Sequence, residues 1–311
     1  MDERSNLTQI LRAIGSEPRG PRPFGSDGRF TVAVAATPAE RLRAWRLVHR
    51  SYVAKEFARP DADGAWYALH DALPDTTTIL ATHGGRDVGA VTVVLDSPLG
   101  LPADEIYGDR LAPLRAECRR PCEFVSLASD GLSLRAGTDV LMQSFRLAMM
   151  SAFLDGATDL IITVSPRHAA FYQRTLLFSV CGEERSCAKV GGVPAVLLQV
   201  PFDGLSERFR AAYGTGPSSL WSFFFGREQT AGLYGYLRDA RRPLARDELI
   251  EWFVRRRPLM ASATLAAQRH VQACYPGLEE DIAAETAAFA SDDLEHGSRM
   301  SFGGTKQESH G

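Results

Sequence analysis

The run Cys122-Glu123-Phe124-Val125-Ser126-Leu127 sets one carboxylate in a stretch otherwise built as an apolar strand. A buried carboxylate is costly unless it is paired, hydrogen-bonded or neutral. Desolvation also raises its pKa toward the range of a general base, and a reactive site is the usual reason to bear that cost. Glu123 is therefore the first catalytic candidate, acting directly or through water. The alternative is a carboxylate that faces outward or closes a structural network with an arginine. Arg167 and His168 follow an apolar strand-like run directly. They suit contact with a substrate or a phosphate, and equally the capping of a strand-to-helix turn. In Asp130-Gly-Leu-Ser-Leu-Arg-Ala-Gly-Thr-Asp139, a helix N-terminus with Thr138 as its N-cap could hold one phosphate.

Other chemistries find less support. Cys118-x-x-x-Cys122 has half the spacing of a zinc site, but no second Cys/His pair follows, and the seven histidines form no H-x-x-x-H face. No metal is expected. Five cysteines, an odd number, argue against a disulfide framework. A formal net charge of −3 leaves no basic footprint for nucleic acid. The start Met1-Asp2-Glu3-Arg4 lacks a secretory apolar region, and no apolar run reaches the roughly 18 residues that span a bilayer. The cytoplasm is the expected location.

The elements that must position these groups follow from the residue pattern. Residues 1–29 are rich in Gly, Pro, Ser and Arg and are expected to be disordered, as is the polar tail 291–311. Phe30 to Ala35 alternates as a half-buried strand does. Thr37-Pro38-Ala-Glu40 gives an N-cap, a proline at the first helical position and an acidic first turn, opening a helix to about Lys55. A short helix is expected over Ala65 to Asp71. Two β-rich runs, Thr76 to Thr82 and Val88 to Leu95, flank a turn containing Gly84-Gly85. A strand over Cys122 to Ala128, a helix over Thr138 to Leu154, a buried strand over Asp159 to Val164 and a helix from His168 to Leu177 come next. Strands Val180 to Arg185 and Ala195 to Phe202 close the domain. Such an order, an antiparallel meander followed by one βαβ crossover, makes a mixed α/β sheet with flanking helices. Residues 30–203 would form this domain and 204–290 a helical appendage, whose aromatic run Trp221-Ser-Phe-Phe-Phe225 suits docking on the sheet or, alternatively, a direct part in ligand binding.

The element order resembles that of the GNAT acyltransferases, whose mixed sheet of about seven strands has an α+β character and splays between its two central parallel strands. The segment Pro166-Arg-His-Ala-Ala-Phe-Tyr-Gln-Arg-Thr-Leu-Leu-Phe178 is similar to a GNAT helix whose tyrosine sits beside the donor sulfur, with Leu177 standing where a glycine is usual. The likeness implies Tyr172 as proton donor to the leaving thiolate; the residues alone also fit an amphipathic helix with Phe171 and Tyr172 in the core. The loop 130–139 departs from the Q/R-x-x-G-x-G/A phosphate loop of coenzyme-A-dependent members, keeping only Arg135 and Gly137. More specifically, Leu95 to Tyr107, with its Asp96-Ser-Pro-Leu-Gly-Leu-Pro102 block, Cys122 to Ala128, Ala157 to His168, and Gly182-Glu-Glu-Arg185 with Gly192-Val-Pro-Ala-Val-Leu-Leu198 resemble the FeeM-type N-acyl amino acid synthases, relatives of the acyl-homoserine-lactone autoinducer synthases.

That resemblance implies an acyl carrier protein as donor, a long acyl chain in an apolar tunnel and an amino acid acceptor. No cofactor is implied beyond the acyl-phosphopantetheine thioester, on acyl carrier protein or coenzyme A. Glu123 would deprotonate or contact the acceptor amine, with Ser126, Arg167 and His168 near the substrates. Arg46 and Tyr52 resemble the first-helix residues that close over substrate, although Val48-His49 replaces the usual Arg-Tyr pair. Three alternatives remain: a lactone-forming autoinducer synthase, an acetyl-CoA-dependent N-acetyltransferase, and a catalytically silent binding module. Thioester consumption separates the last from the enzymes.

Overall fold

Thr31–Val34 alternates half-buried and buried side chains and forms β1, the edge of a seven-stranded sheet of order β1-β2-β3-β4-β5-β7-β6. The computed structural model describes residues 30–285, so the expected disordered segments 1–29 and 291–311 lie outside the described residues. Helix α1, Pro38–Ala54, starts where the capping signal placed it: Thr37 Oγ1 accepts from the Glu40 N–H, and the Glu40 carboxylate accepts from the Thr37 N–H at 2.9 Å. The helix expected over Ala65 to Asp71 is only a 3-10 turn, Leu69–Ala72. The residues before it are tied down by other bonds, since the Trp66 N–H donates to the Trp45 carbonyl and the Ala68 N–H to the Asp71 carboxylate.

Strands β2, Thr77–His83, and β3, Arg86–Leu95, pair antiparallel around Gly84 and Gly85. Both glycines have positive φ, the backbone a tight hairpin turn demands. Next comes α2, Asp104–Ala116, which the sequence pattern does not reveal. Gly108 and Pro113 lie inside it and Tyr107 leaves helical dihedrals, so the apolar period is blurred. Strand β4 is Pro121–Ser129, antiparallel to β3. Helix α3, Leu134–Leu154, begins four residues earlier than expected. Its N-cap is Ser133, whose Oγ accepts from the Ala136 N–H at 3.3 Å, so Thr138 lies inside the helix and does not cap it. Strand β5, Asp159–Val164, is parallel to β4, and α4, Pro166–Leu176, follows it. Strands β6, Ser179–Cys187, and β7, Val193–Pro201, form the closing hairpin, with β7 inserted beside β5.

Helices cover both faces of the sheet. On one, α3 and α4 bury Phe145, Ala148, Tyr172 and Leu176 against Phe124, Leu160 and Leu198. On the other, Ala44, Leu47 and Val48 of α1 pack on Leu80, Ala90 and Ala128. Tyr107 and Leu111 of α2 pack with Val94, Ile161 and Leu197. Beyond β7, α5 (Leu205–Tyr213), α6 (Leu220–Phe225) and α7 (Arg227–Ala240) add Phe209, Phe224, Leu233 and Leu237 to the first of these cores. The aromatic run therefore docks these helices on the α/β core, with Phe209 5.4 Å from Phe224 and 5.3 Å from Phe225 between ring centres. The first compact unit extends to Leu244 and the second begins at Ala245. The second unit is helical, with α8 (Arg246–Ile250), a π-helical turn (Glu251–Arg256), α9 (Leu259–Ser262) and α10 (Leu265–Cys274). No helix among the described residues is long and apolar enough to cross a membrane.

Candidate active site

The two parallel strands at the centre of the sheet are joined only at their beginnings. Register pairs run Pro121↔Asp159, Cys122↔Leu160 and Glu123↔Ile161, and the ladder ends there. β4 continues beside β3 to Ser129↔Gly89, while β5 continues beside β7 to Val164↔Val196. The strands part after Glu123, and a cavity of about 750 Å³ opens between Phe124–Ser129 on one side and Ile162–Ser165 on the other. A bulge drives the separation. Val125 opposes Thr92 and Ala128 opposes Ala90, so two β4 residues face one on β3, and Ser126 adopts φ 55°. A β-bulge bends its strand and increases local twist. The freed β4 edge offers backbone N–H groups to a cleft in which a carbonyl oxygen would gain negative charge.

Glu123 stands at the fork, 2% exposed. Its Oε2 accepts from the Ala103 N–H at 2.7 Å and its Oε1 from Thr163 Oγ1 at 3.3 Å. Burial pushes its pKa up to about 7, against the lowering effects of the Ala103 bond, the Lys189 charge and Thr163. The Ala103 donor lies at the head of α2, in the loop that the Asp96-Ser-Pro-Leu-Gly-Leu-Pro motif builds. Arg115 of α2 grips both Asp96 and Asp104, at 2.7 Å and 2.6 Å, and Asp104 accepts from the Leu101 N–H. These bonds fix the loop so that its backbone reaches the carboxylate.

Tyr172, on α4, is 5% exposed and ringed by Phe145, Phe171 and Phe178. Burial pushes its phenol up to about 12, so it remains a proton donor at neutral pH. Helix α4 ends at Leu177, which takes the left-handed φ of 58° that the usual glycine would adopt freely. Tyr52, at the last turn of α1, is held edge-on to Trp66 and Phe57 and opens on the cavity; burial first, then the neighbouring Cys187, Glu123 and Tyr172, raises its pKa.

Of the residues singled out by sequence, Glu123, Tyr172, Tyr52, Ser126, Arg167 and His168 meet in this cavity, and Gly137 and Thr138 line its α3 side. Arg46 does not. Tyr52 shares its helical stripe with Trp45 and Val48, while Arg46 is turned away and exposed. Arg135 belongs to the first turn of α3. The Gly137 N–H already donates to the Ser133 carbonyl at 2.8 Å, so it is an internal helix bond and not a phosphate donor. Sequence reasoning missed Lys55, Thr163, Asp71 and Lys189. Lys55 could have been found three residues beyond Tyr52 on the same stripe. Asp71 is raised to about 6 by burial and accepts from Trp45 Nε1 at 3.2 Å. Nothing in the local sequence joins Asp71 to α1.

A sheet splayed beside a buried, nearly neutral-pKa carboxylate, with a tyrosine on the following helix, defines a GNAT-fold N-acyltransferase. Residues 43–201, half of the chain, match the model of the FeeM N-acyl amino acid synthases, and the chain belongs to that family. The structure of FeeM, an N-acyl amino acid synthase from uncultured soil microbes, is similar over 59% of this chain and 96% of its own, with 24% identity and a TM-score of 0.52. The acyl-homoserine lactone synthase LasI matches at 14% identity over 55% of this chain and 89% of its own (TM-score 0.45). The CoA-dependent acyl-homoserine lactone synthase BjaI matches at 17% over 57% and 87% (TM-score 0.40). No curated protein sequence matches the chain.

Proposed function

We propose that this protein moves a long-chain fatty acyl group from an acyl carrier protein thioester to the α-amino group of an amino acid. The observation that carries this reading is Glu123, buried at the fork of the wedge with a pKa lifted into the physiological range. The acyl-phosphopantetheine arm enters between β4 and β5, its thioester carbonyl toward the free β4 edge. The amine nitrogen attacks that carbonyl. The C–N bond forms as the C–S bond breaks, Glu123 takes the amine proton, and Tyr172 protonates the departing thiolate. No covalent enzyme intermediate and no further cofactor is required. Val140, Leu141, Phe145 and Ile162 give the cavity an apolar wall suited to an acyl chain. Lys189, whose charge is felt by Glu123, suits the acceptor's carboxylate. A carrier-protein donor would place the reaction in the cytoplasm.

The decisive experiment supplies acyl-carrier-protein thioesters together with a mixture of amino acids and identifies lipid-soluble N-acyl products by mass. Native protein is expected to give N-acyl amino acids, and Glu123→Gln at least about a hundredfold less, the contribution of a general base. Undiminished product from Glu123→Gln would remove the base from this mechanism. A lactone product would shift the reading to an autoinducer synthase, and thioester left intact would leave a binding module.

A further inference from the structure

Three basic side chains at the cavity rim have no use in the chemistry above. Lys55 ends α1, and Arg167 and His168 lie in the first turn of α4; all three line the cavity. None closes an ion pair or side-chain hydrogen bond among the described residues. Other surface and half-buried arginines do: Arg43 pairs with Asp87, Arg110 with Glu183 and Arg185 with Asp109. The three basic groups also feel one another. Burial and then the Arg167 charge lower the Lys55 pKa, while burial, Arg167 and Lys55 lower that of His168. Asp130, whose charge acts on Lys55 in the opposite sense, already faces Arg50 at 4.0 Å. Lys55 and Arg167 are thus like charges drawn to one rim without an ion pair of their own, a place where an anion would relieve repulsion.

The usual backbone cradle is weakened on the opposite wall, where the Gly137 N–H is spent inside α3 and Ser133 Oγ takes the Ala136 N–H. We propose that the Lys55 and Arg167 cations, with the His168 imidazole beside them as a hydrogen-bond donor, seat the phosphate of the donor's phosphopantetheine arm in place of a glycine-rich backbone loop. This rests on the acyl-thioester reading of the wedge but not on the identity of the acceptor. Charge-assisted bonds to a phosphate are stronger than neutral ones and are screened by salt at an exposed rim.

The test reads binding without turnover. The full-length protein is titrated calorimetrically with 4′-phosphopantetheine and with pantetheine, at low and high salt. Native protein is expected to prefer the phosphorylated form by about tenfold or more at low salt, a gap that shrinks as salt rises. Lys55→Ala/Arg167→Ala should reduce the gap to about twofold, while Lys55→Arg/Arg167→Lys keeps most of it. Thermal unfolding checks that each variant is folded. Equal affinity of native protein for both ligands, or a double-alanine variant that keeps the full preference, overturns the proposal. A second arm compares turnover of acyl-carrier-protein and acyl-CoA, which share this phosphate. Equal loss with both donors supports a phosphate seat; loss confined to the carrier protein assigns the cations to protein docking and overturns it. If the binding preference holds while no N-acyl amino acid forms, the acceptor reading fails and the phosphate seat stands.

Discussion

Glu123 carries two pH signatures, both set by its burial. Its pKa rises from 4.5 to about 7 because the folded protein disfavours the charged carboxylate. For a raised acid, the associated stability is fully present below the unfolded pKa and is lost as pH climbs through the folded one. Between about pH 4.5 and pH 7 the native state should therefore lose on the order of 3 kcal/mol through this residue alone. Catalysis runs the other way, because the base must be deprotonated. The kcat/KM profile should rise with an inflection near pH 7, and Glu123→Gln should remove both that inflection and the matching slope in stability. Denaturant titrations across this range check the first expectation, and initial rates check the second. A rate profile whose inflection survives in Glu123→Gln would reassign it, with Asp71 as the next buried carboxylate to examine.

At the scale of elements, α2 links the base to the far edge of the sheet. Tyr107 is fully buried, and its hydroxyl donates toward the carbonyls of Glu183 and Ala195 at 2.8 and 2.7 Å. Gly182 on β6 makes room for that ring. A Cβ there would lie 2.8 Å from the Tyr107 ring and 2.9 Å from Leu197 Cβ. Neither neighbour can yield, since both are buried in one cluster. Gly182→Ala should cost roughly 1–3 kcal/mol by overpacking. It should also lower kcat more than surface variants of equal stability, because α2 holds the loop whose Ala103 N–H donates to Glu123. Thermal unfolding and initial rates measured together decide this; a variant as stable as native protein would show that the Tyr107 packing has slack.

For the molecule as a whole, α5 to α7 are part of the α/β core. Phe209 and Phe224 are 1% and 2% exposed and share a cluster with the sheet, α3 and α4. Truncating a buried phenylalanine typically costs about 3–5 kcal/mol, a large part of the 5–15 kcal/mol that holds a domain folded. Phe224→Ala should lower the unfolding free energy of the catalytic unit by that amount, read from denaturant titration, and depress activity through Phe145 and Tyr172, which belong to the same cluster. Were the three helices a detachable tail, the catalytic unit would unfold at an unchanged midpoint.

The elements with strong local signals were legible in advance. Thr37-Pro38-Ala-Glu40 encodes its own helix start, Asp159–Val164 its buried strand, and Glu123 its anomaly as a charge among apolar neighbours. Each depends on residues adjacent in the chain. Helix α2 was hidden because glycine and proline blur its period and its stability comes from packing. The true cap of α3 was hidden because Ser133 and Thr138 are both favoured cap residues in isolation, and the tertiary fold chooses between them. The exclusion of Arg46 from the cleft, the meeting of Trp45 with Asp71, and the gathering of Lys55 with Arg167 and His168 joined residues from distant parts of the chain. Only the tertiary structure decided them, because helix phase, the Ser126 bulge and the parting of β4 from β5 determine which side chains share a cavity.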